Sequence, residues 1–228
     1  MPGPLGPEHP GGRAGPAPYT RPVATGPGGR FLGPRAVLVP VKDFSDAKAR
    51  LAPALSPAER ARLAREMAER VIGAARHIPV AVVCDSTDVA TWARGLGALV
   101  VWAPERGLNH AVQDGVRRLS DLGVAHVTVA HADLPRADDL TWVGDWPGIT
   151  LIPDRREDGT TVIGLPSDCR FVFSYGPGSF GRHRAEAQRL GLATRVVHSD
   201  ALSWDVDVPA DLEPIAPSRS RRPPAGPA

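Results

Sequence analysis

Short apolar runs punctuate the chain, and each ends on, or is followed within two residues by, a proline or a polar residue: AVLVP at 36–40, PVAVVC at 79–84, ALVVW at 98–102, AHVTVA at 125–130, GITLIP at 148–153 and TVIGLP at 161–166. Runs this short and this rich in Val and Ile predict strands buried on both faces. The first strand is expected over 36–39. Between the runs the period changes to a helical one. Ser56 is a predicted N-cap, Pro57 takes the first helical position and Glu59 completes a capping box. Leu63, Met67, Val71 and Ala74 then recur at helical spacing as a buried stripe. Further helices are predicted over 85–97, from Asn109 to Gly123, around 138–143 and over 179–191, the last followed by a long strand, ATRVVHS. Strands alternating with helices in this way predict an α/β fold, a mostly parallel mixed sheet flanked by helices. In such sheets ligands sit outside the carboxyl ends of the strands, so each strand-end residue becomes a candidate.

Composition changes the picture at the two ends. Glycine and proline make up about half of residues 1–34, and a segment of that kind cannot bury enough apolar surface to offset its ordering entropy. Residues 1–34 are therefore expected to be a disordered arm, 35–215 one folded domain and 216–228 a disordered basic tail. The net charge is +2, and Arg219, Arg221 and Arg222 of the tail carry much of the excess. A nearly neutral core gives no field for nucleic-acid binding. No apolar stretch approaches membrane-spanning length, and the N-terminus lacks the apolar middle of a signal peptide. Two cysteines, Cys84 and Cys169, make no disulfide framework, which suits a reducing cytoplasm. The five tryptophans, among them Trp102 and Trp204, look like packing residues.

The candidate chemistry gathers at predicted strand ends. The strand VTVA stops at His131-Ala132-Asp133, and Pro135 forbids its continuation. Asp before Leu-Pro also suits a tight turn. Near the C-terminus, WDVDVPADL supplies Asp205 and Asp207 at a spacing that puts both carboxylates on one side of an extended segment. A solvated turn ahead of a short helix capped by Asp211 is the structural alternative. Converging carboxylates repel unless a cation neutralises them. Mg²⁺ suits them best, because it takes oxygen ligands and usually brings substrate phosphates. Lys42, Lys48 and Arg50 follow the first strand, where the two lysines could neutralise a triphosphate or a leaving pyrophosphate. The loop is neither a P-loop nor a dinucleotide fingerprint. In YGPGSFGRHR, Gly176 and Gly178 permit close backbone approach, and Ser179 opens a helix whose free N–H groups, hydroxyl and dipole make an anion site, with Arg182, His183 and Arg184 on its first turns. Ordinary N-capping by Ser179 is the alternative there. Thr160 offers a second hydroxyl at a turn, and Asn109 is read as a helix N-cap or a base or ribose contact. No GxSxG elbow, HExxH helix or cysteine–histidine pair suggests another chemistry.

Taken in order, VPVKDFSDAKARLAPALSPAERARLAREM, GLNHAVQDG, ADLP, GTT, YGPGSFGRHR and DVDVPADL resemble the guanylyltransferases of deazaflavin coenzyme F-420 biosynthesis. The resemblance implies the nucleotide-diphospho-sugar transferase fold. It also implies that GTP is joined to phosphoenolpyruvate, giving enolpyruvoyl-diphospho-guanosine and releasing pyrophosphate. The acceptor in some members is 2-phospho-L-lactate. Residue by residue it makes Asp133 and Asp205 metal-binding with Asp207 close by, seats the phosphorylated acid on Thr160, Gly176 and Ser179, and matches Lys42 and Lys48 to the family's two lysines. Asn109 is taken with these lysines as nucleotide-binding. The chain departs from the pattern at Ala49, Thr161, Tyr175 and His131. The rival readings are the same chemistry on another phosphorylated acid, a non-catalytic nucleotide-binding module, and a glycosyltransferase; a glycosyltransferase is disfavoured because the central strand ends in HAD and not in Asp-x-Asp.

Overall fold

A computed structural model describes residues 33–104 and 107–212, so residues 1–32 of the expected arm, the last residues of the expected domain and the whole expected tail lie outside the described residues. Seven strands, β1 (Arg35–Pro40), β2 (Val80–Cys84), β3 (Leu99–Trp102), β4 (His126–Ala130), β5 (Ile149–Pro153), β6 (Thr160–Pro166) and β7 (Thr194–Val196), form one sheet in the order β3-β2-β1-β4-β6-β5-β7. Every neighbouring pair is parallel except those made by β6, which is antiparallel to β4 and β5. The mostly parallel mixed sheet expected from the pattern is thus present.

Four helices cover it: α1 (Pro57–Ala74), α2 (Thr87–Gly95), α3 (Gly107–Asp121) and α4 (Ser179–Arg189). Side chains alternate across each strand, and the core divides accordingly. Val37, Val39, Val82 and Cys84 pack with α1 and α2 on one face. Ala36, Leu38, Val83, Val127 and Val129 pack with α3 and α4 on the other. Helix α3 comes close to the sheet because Gly115 faces Leu38; a Cβ at that position would lie 2.6 Å from Leu38 Cδ2.

Helix α1 begins as its sequence requires, with Ser56 and Glu59 exchanging both capping-box hydrogen bonds and Pro57 in the first position. Its buried stripe is Ala64, Met67, Ala68, Val71 and Ala74, while Leu63 sits half-buried at the rim. Several boundaries differ from expectation. Helix α3 opens at Gly107, so Asn109 lies inside its first turn instead of capping it. Around 138–143 there is no helix, only a 3-10 turn at Val143–Asp145. Asp139 Oδ1 accepts from both the amide and the hydroxyl of Thr141, a local alternative that competes with helical bonding. Gly178, at φ 71°, holds the cap position of α4, and Ser179 is the first residue inside. The predicted long last strand shrinks to the three residues of β7 at the sheet edge. Trp102 is 49% exposed and is no packing residue.

The single antiparallel strand decides where the site lies. Ala130 pairs with Val162 and the His131 amide donates to Thr161 O. The first residue of β6, Thr160, therefore stands on the same sheet edge where β1 and β4 end.

Candidate active site

Two distant segments meet at this edge through packing. Val206 is buried with Leu51 and Met67 in a small satellite core that Leu63 and Trp204 flank. Leu51 belongs to the turn that follows Lys48 and Met67 to α1, so burying Val206 draws the C-terminal segment against both. The Val206 amide donates to the carbonyl of Asp133 at 3.3 Å. With Val206 turned inward, Asp205 and Asp207 fall on the opposite side, as an extended segment requires. Asp211, 2% exposed, fixes this segment from below. Its Oδ2 accepts from the amides of Asp207 (2.8 Å) and Val208 (2.9 Å), and its Oδ1 pairs with Arg155 and Arg156. The guanidinium groups of Arg136 and Arg155 each lie 3.8 Å from the Trp204 ring centroid, next to Asp205.

Lys48 is the hub of the charged cluster. Its backbone is left-handed, at φ 55°, a conformation that costs a non-glycine residue about 1 kcal/mol or more and gathers at functional sites. The ammonium donates to Asp133 Oδ2 at 2.6 Å and to Asp207 Oδ1 at 3.2 Å. Arg50 approaches Asp207 at 3.8 Å. Burial works against the Lys48 charge, but Asp133 and Asp207 outweigh it and hold its pKa above the ordinary value. Burial likewise works against the Asp133 charge, and Lys48 together with His131 outweighs it, so the carboxyl is held below its ordinary range. Asp205 has no such partner. Burial, then Asp133 and Asp207, push its pKa up to about 6.

The neighbourhood fits a hard cation. Asp133 Oδ1 is buried and accepts no hydrogen bond from any described residue, and the raised Asp205 reports burial first and then neighbouring negative charge, neither offset by a cation. Mg²⁺ takes one or two such carboxylates. Among the described residues no three His, Cys, Asp or Glu side chains form a ready-made cage. Asp133, Asp205 and Asp207 share one region, and Asp207 is engaged by Lys48 and Arg50. Lys42 is exposed and lines the cleft, as do Lys48, His131, Asp133 and Asp207; the cleft holds about 360 Å³.

The second group of predicted residues stands where β6 and α4 begin. The Thr160 amide donates to Ser179 Oγ at 3.2 Å, and both residues are almost fully buried. Gly176 (φ 118°) and Gly178 (φ 71°) adopt the positive φ that the turn requires. The expected free N–H groups are largely taken, because the amides of Gly178, Ser179 and Phe180 donate to Asp158 Oδ1, Gly176 O and Asp158 O. The basic residues of α4 are also occupied. Arg182 donates to the carbonyls of Ser174, Gly176 and Pro177 and clips the loop shut. Arg184 lies 5.6 Å from the Phe180 ring centroid. His183 is buried, and burial first, then the neighbouring His131, press its pKa down to about 4. Among the described residues the region therefore holds hydroxyls and committed amides but no uncommitted cation.

Asn109 joins the two groups. Its Oδ1 accepts from the Tyr175 amide at 2.6 Å and its Nδ2 donates to Tyr175 O at 3.5 Å, so it holds the glycine loop against α3. Two departures from the family pattern touch one another, with the rings of His131 and Tyr175 4.8 Å apart. Asp158 and the Arg136–Trp204–Arg155 stack carry no signal in the sequence, and Asp211 shows there only as a helix cap. Asp154 also faces Asp205 electrostatically, but its carboxylate accepts from the amides of Arg156, Asp158 and Gly159. Asp158, Asp211 and the stack contact segments distant in sequence, and no spacing signal announces those contacts.

Residues 35–217 match the family described as guanylyl transferase CofC like. The chain is 36% identical over 188 residues to a phosphoenolpyruvate guanylyltransferase of Sphaerobacter thermophilus, which covers 78% of this chain and 91% of that protein. It is 33% identical to a 2-phospho-L-lactate guanylyltransferase of Methanothermobacter thermautotrophicus, over 78% of this chain and 82% of the relative. Among solved structures, a protein of Desulfovibrio desulfuricans described as a nucleotide-diphospho-sugar transferase superposes with a TM-score of 0.62 at 16% identity, over 76% of this chain and 82% of the other. At that identity the likeness concerns the fold.

Proposed function

The chain belongs to the guanylyl transferase CofC-like family, and from that premise we propose that it joins GTP to phosphoenolpyruvate, giving enolpyruvoyl-diphospho-guanosine and pyrophosphate. The observation that carries this reading is the Lys48–Asp133–Asp207 cluster with Asp205 beside it at the carboxyl edge of the sheet. A pure binding module has no use for a buried lysine held between two acids in a left-handed backbone. The step belongs to coenzyme F-420 biosynthesis and to the cytoplasm. Two free cysteines, Cys84 and Cys169, suit that compartment, and among the described residues no helix is long and apolar enough to cross a membrane.

The reaction needs no protein nucleophile. A phosphate oxygen of the acceptor attacks the α-phosphorus of GTP, the new P–O bond forms, and the α–β anhydride bond breaks with its electron pair leaving on pyrophosphate. The chain's work is to bring two anions together and to neutralise charge as it develops. Asp133 and Asp205 would hold Mg²⁺, with Asp207 close by, and the bound ion would neutralise charge shared by the two phosphates. Lys42, exposed at the mouth of the cleft, stabilises the departing pyrophosphate. Lys48, released from part of its pairing when phosphate arrives, does the same from inside. Thr160, Ser179 and the backbone at Gly176 seat the acid. Asn109 serves the nucleotide side indirectly, by fixing the loop between α3 and the seat.

The 2-phospho-L-lactate guanylyltransferase among the relatives keeps that acid as the second reading. Mass spectrometry of the product formed from GTP, Mg²⁺ and each acid in turn separates the two. Enolpyruvoyl-diphospho-guanosine as the preferred product supports the proposal; lactyl-diphospho-guanosine alone overturns the acceptor; and no pyrophosphate release with either overturns the activity.

A further inference from the structure

His183 is buried among the rings of Tyr175, Phe171 and Phe173, whose centroids lie 4.9, 5.6 and 6.4 Å from its own. Both ring nitrogens are engaged. The Ser174 amide donates to Nε2 at 3.0 Å, and Nδ1 lies 3.0 Å from Thr160 Oγ1. A backbone amide can only donate, so Nε2 is an acceptor and carries no proton. In the neutral ring the proton is then on Nδ1, and Thr160 Oγ1 must accept it. A ring flip would break both bonds.

We propose that His183 is a positioning residue for the acceptor acid: its fixed Nδ1–H tautomer donates to the Thr160 hydroxyl, so the Thr160 proton is not spent on the histidine and is free to donate toward the substrate anion. The same logic applies to Ser179, whose Oγ already accepts from the Thr160 amide at 3.2 Å and whose own proton is likewise left to give. Both hydroxyl protons are thereby left free to donate, each polarised by the bond its oxygen receives. The histidine's depressed pKa, about 4, keeps the ring neutral and the relay in place across the physiological range. This inference rests on the seating of the acid at Thr160 and Ser179 in the reading above.

The tautomer is measured without turnover, by long-range proton–nitrogen correlation on the ¹⁵N-labelled full chain at pH 7. A protonated Nδ1 and bare Nε2 are expected; a protonated Nε2 overturns the inference whatever the enzyme's activity. The functional arm compares His183→Phe, which keeps the ring and removes both nitrogens, in the native and Thr160→Val backgrounds. In the native background the KM for phosphoenolpyruvate should rise about tenfold, the size of a lost hydrogen bond to a charged group, with the KM for GTP unchanged. In the Thr160→Val background the same change should add less than about twofold, because the histidine acts through that hydroxyl. An equal rise in both backgrounds, or equal rises for acid and GTP, overturns the relay. His183→Asn, whose amide reaches the Nδ1 position, should restore most of the lost affinity; failure to do so when the variant is folded counts against it. If the wild-type chain releases no pyrophosphate at all, calorimetric binding of phosphoenolpyruvate replaces KM, so failure of the activity and failure of the relay remain distinct.

Discussion

At the carboxyl edge of the sheet two clusters of side chains form walls of opposite character, and Lys48, Asp133 and Asp207 of the first line the cleft. The wall built by β1, β4 and the C-terminal segment is a cluster of full charges: Lys48 between Asp133 and Asp207, and Asp205 beside them with its pKa raised to about 6. The wall built by β6 and α4 is neutral: Thr160, Ser179 and His183 bonded to one another, with nearby arginines spent on loop carbonyls or an aromatic ring. Charge compensation is strong and tolerant of position, which suits a triphosphate whose charge shifts during reaction. Neutral hydrogen bonds are directional, which suits discrimination among small acids of equal charge. The charged wall should therefore govern turnover and the neutral wall the choice of acceptor.

That division is tested most severely at Asp133. Asp133→Asn should lower turnover about 10²-fold or more, the cost of one electrostatic contact in the transition state, while circular dichroism and melting show the fold intact. Near-normal turnover would break the comparison. Lys48→Met comes next: it strands Asp133 with no compensating cation and should cost about 2 kcal/mol of stability in urea without divalent ions, less when Mg²⁺ is present. A loss indifferent to Mg²⁺ would mean that the lysine and the ion do not share the same carboxylates. On the neutral wall, Ser179→Ala should raise the KM for the acid about tenfold, one hydrogen bond to a charged group, and leave that for GTP nearly unchanged. Equal rises would place the acceptor elsewhere.

How much of this was legible in the sequence follows the same division. Asp133 could be found because a core strand ends on it, and Asp205 with Asp207 because i, i+2 spacing has a geometric meaning. Ser56, Pro57 and Glu59 could be found because helix capping is local. The neutral wall was located but misjudged. Ser179 looked like a cap and the start of α4 like an open anion site, yet Gly178 takes the cap and Asp158, some twenty residues upstream, consumes the amides. Asn109 read as a cap for the same reason: its partner, Tyr175, lies sixty-six residues away. Asp211 had a local reading as a helix cap, and what escaped was its ion pair with Arg155 and Arg156. Local rules recover what neighbouring residues decide, and they fail where a loop spends its hydrogen bonds on another loop.

The smallest effect separates the walls by pH. The folded-state pKa of Asp205 is raised to about 6, so the folded chain holds that proton more tightly than the unfolded one. Its contribution to stability is full below the ordinary carboxylate pKa and is lost as pH rises through about 6. His183 runs the other way. Its folded-state pKa is lowered to about 4, so its contribution is full above the ordinary histidine pKa and is lost as pH falls through about 4. Between these limits the two slopes oppose one another, so the wild-type melting curve against pH should lie between those of the two variants. Without divalent ions, Asp205→Asn leaves the histidine unopposed, so its melting temperature should fall more steeply than wild type as pH drops from about 6 to 4. His183→Phe leaves the carboxylate unopposed and should fall less steeply, or rise, over the same interval. Titrating groups uncoupled from both side chains are common to all three proteins and cancel in the differences. Parallel curves for the three would mean that neither side chain is held in the state its surroundings imply, and the contrast between a charged wall and a neutral one would lose its electrostatic basis.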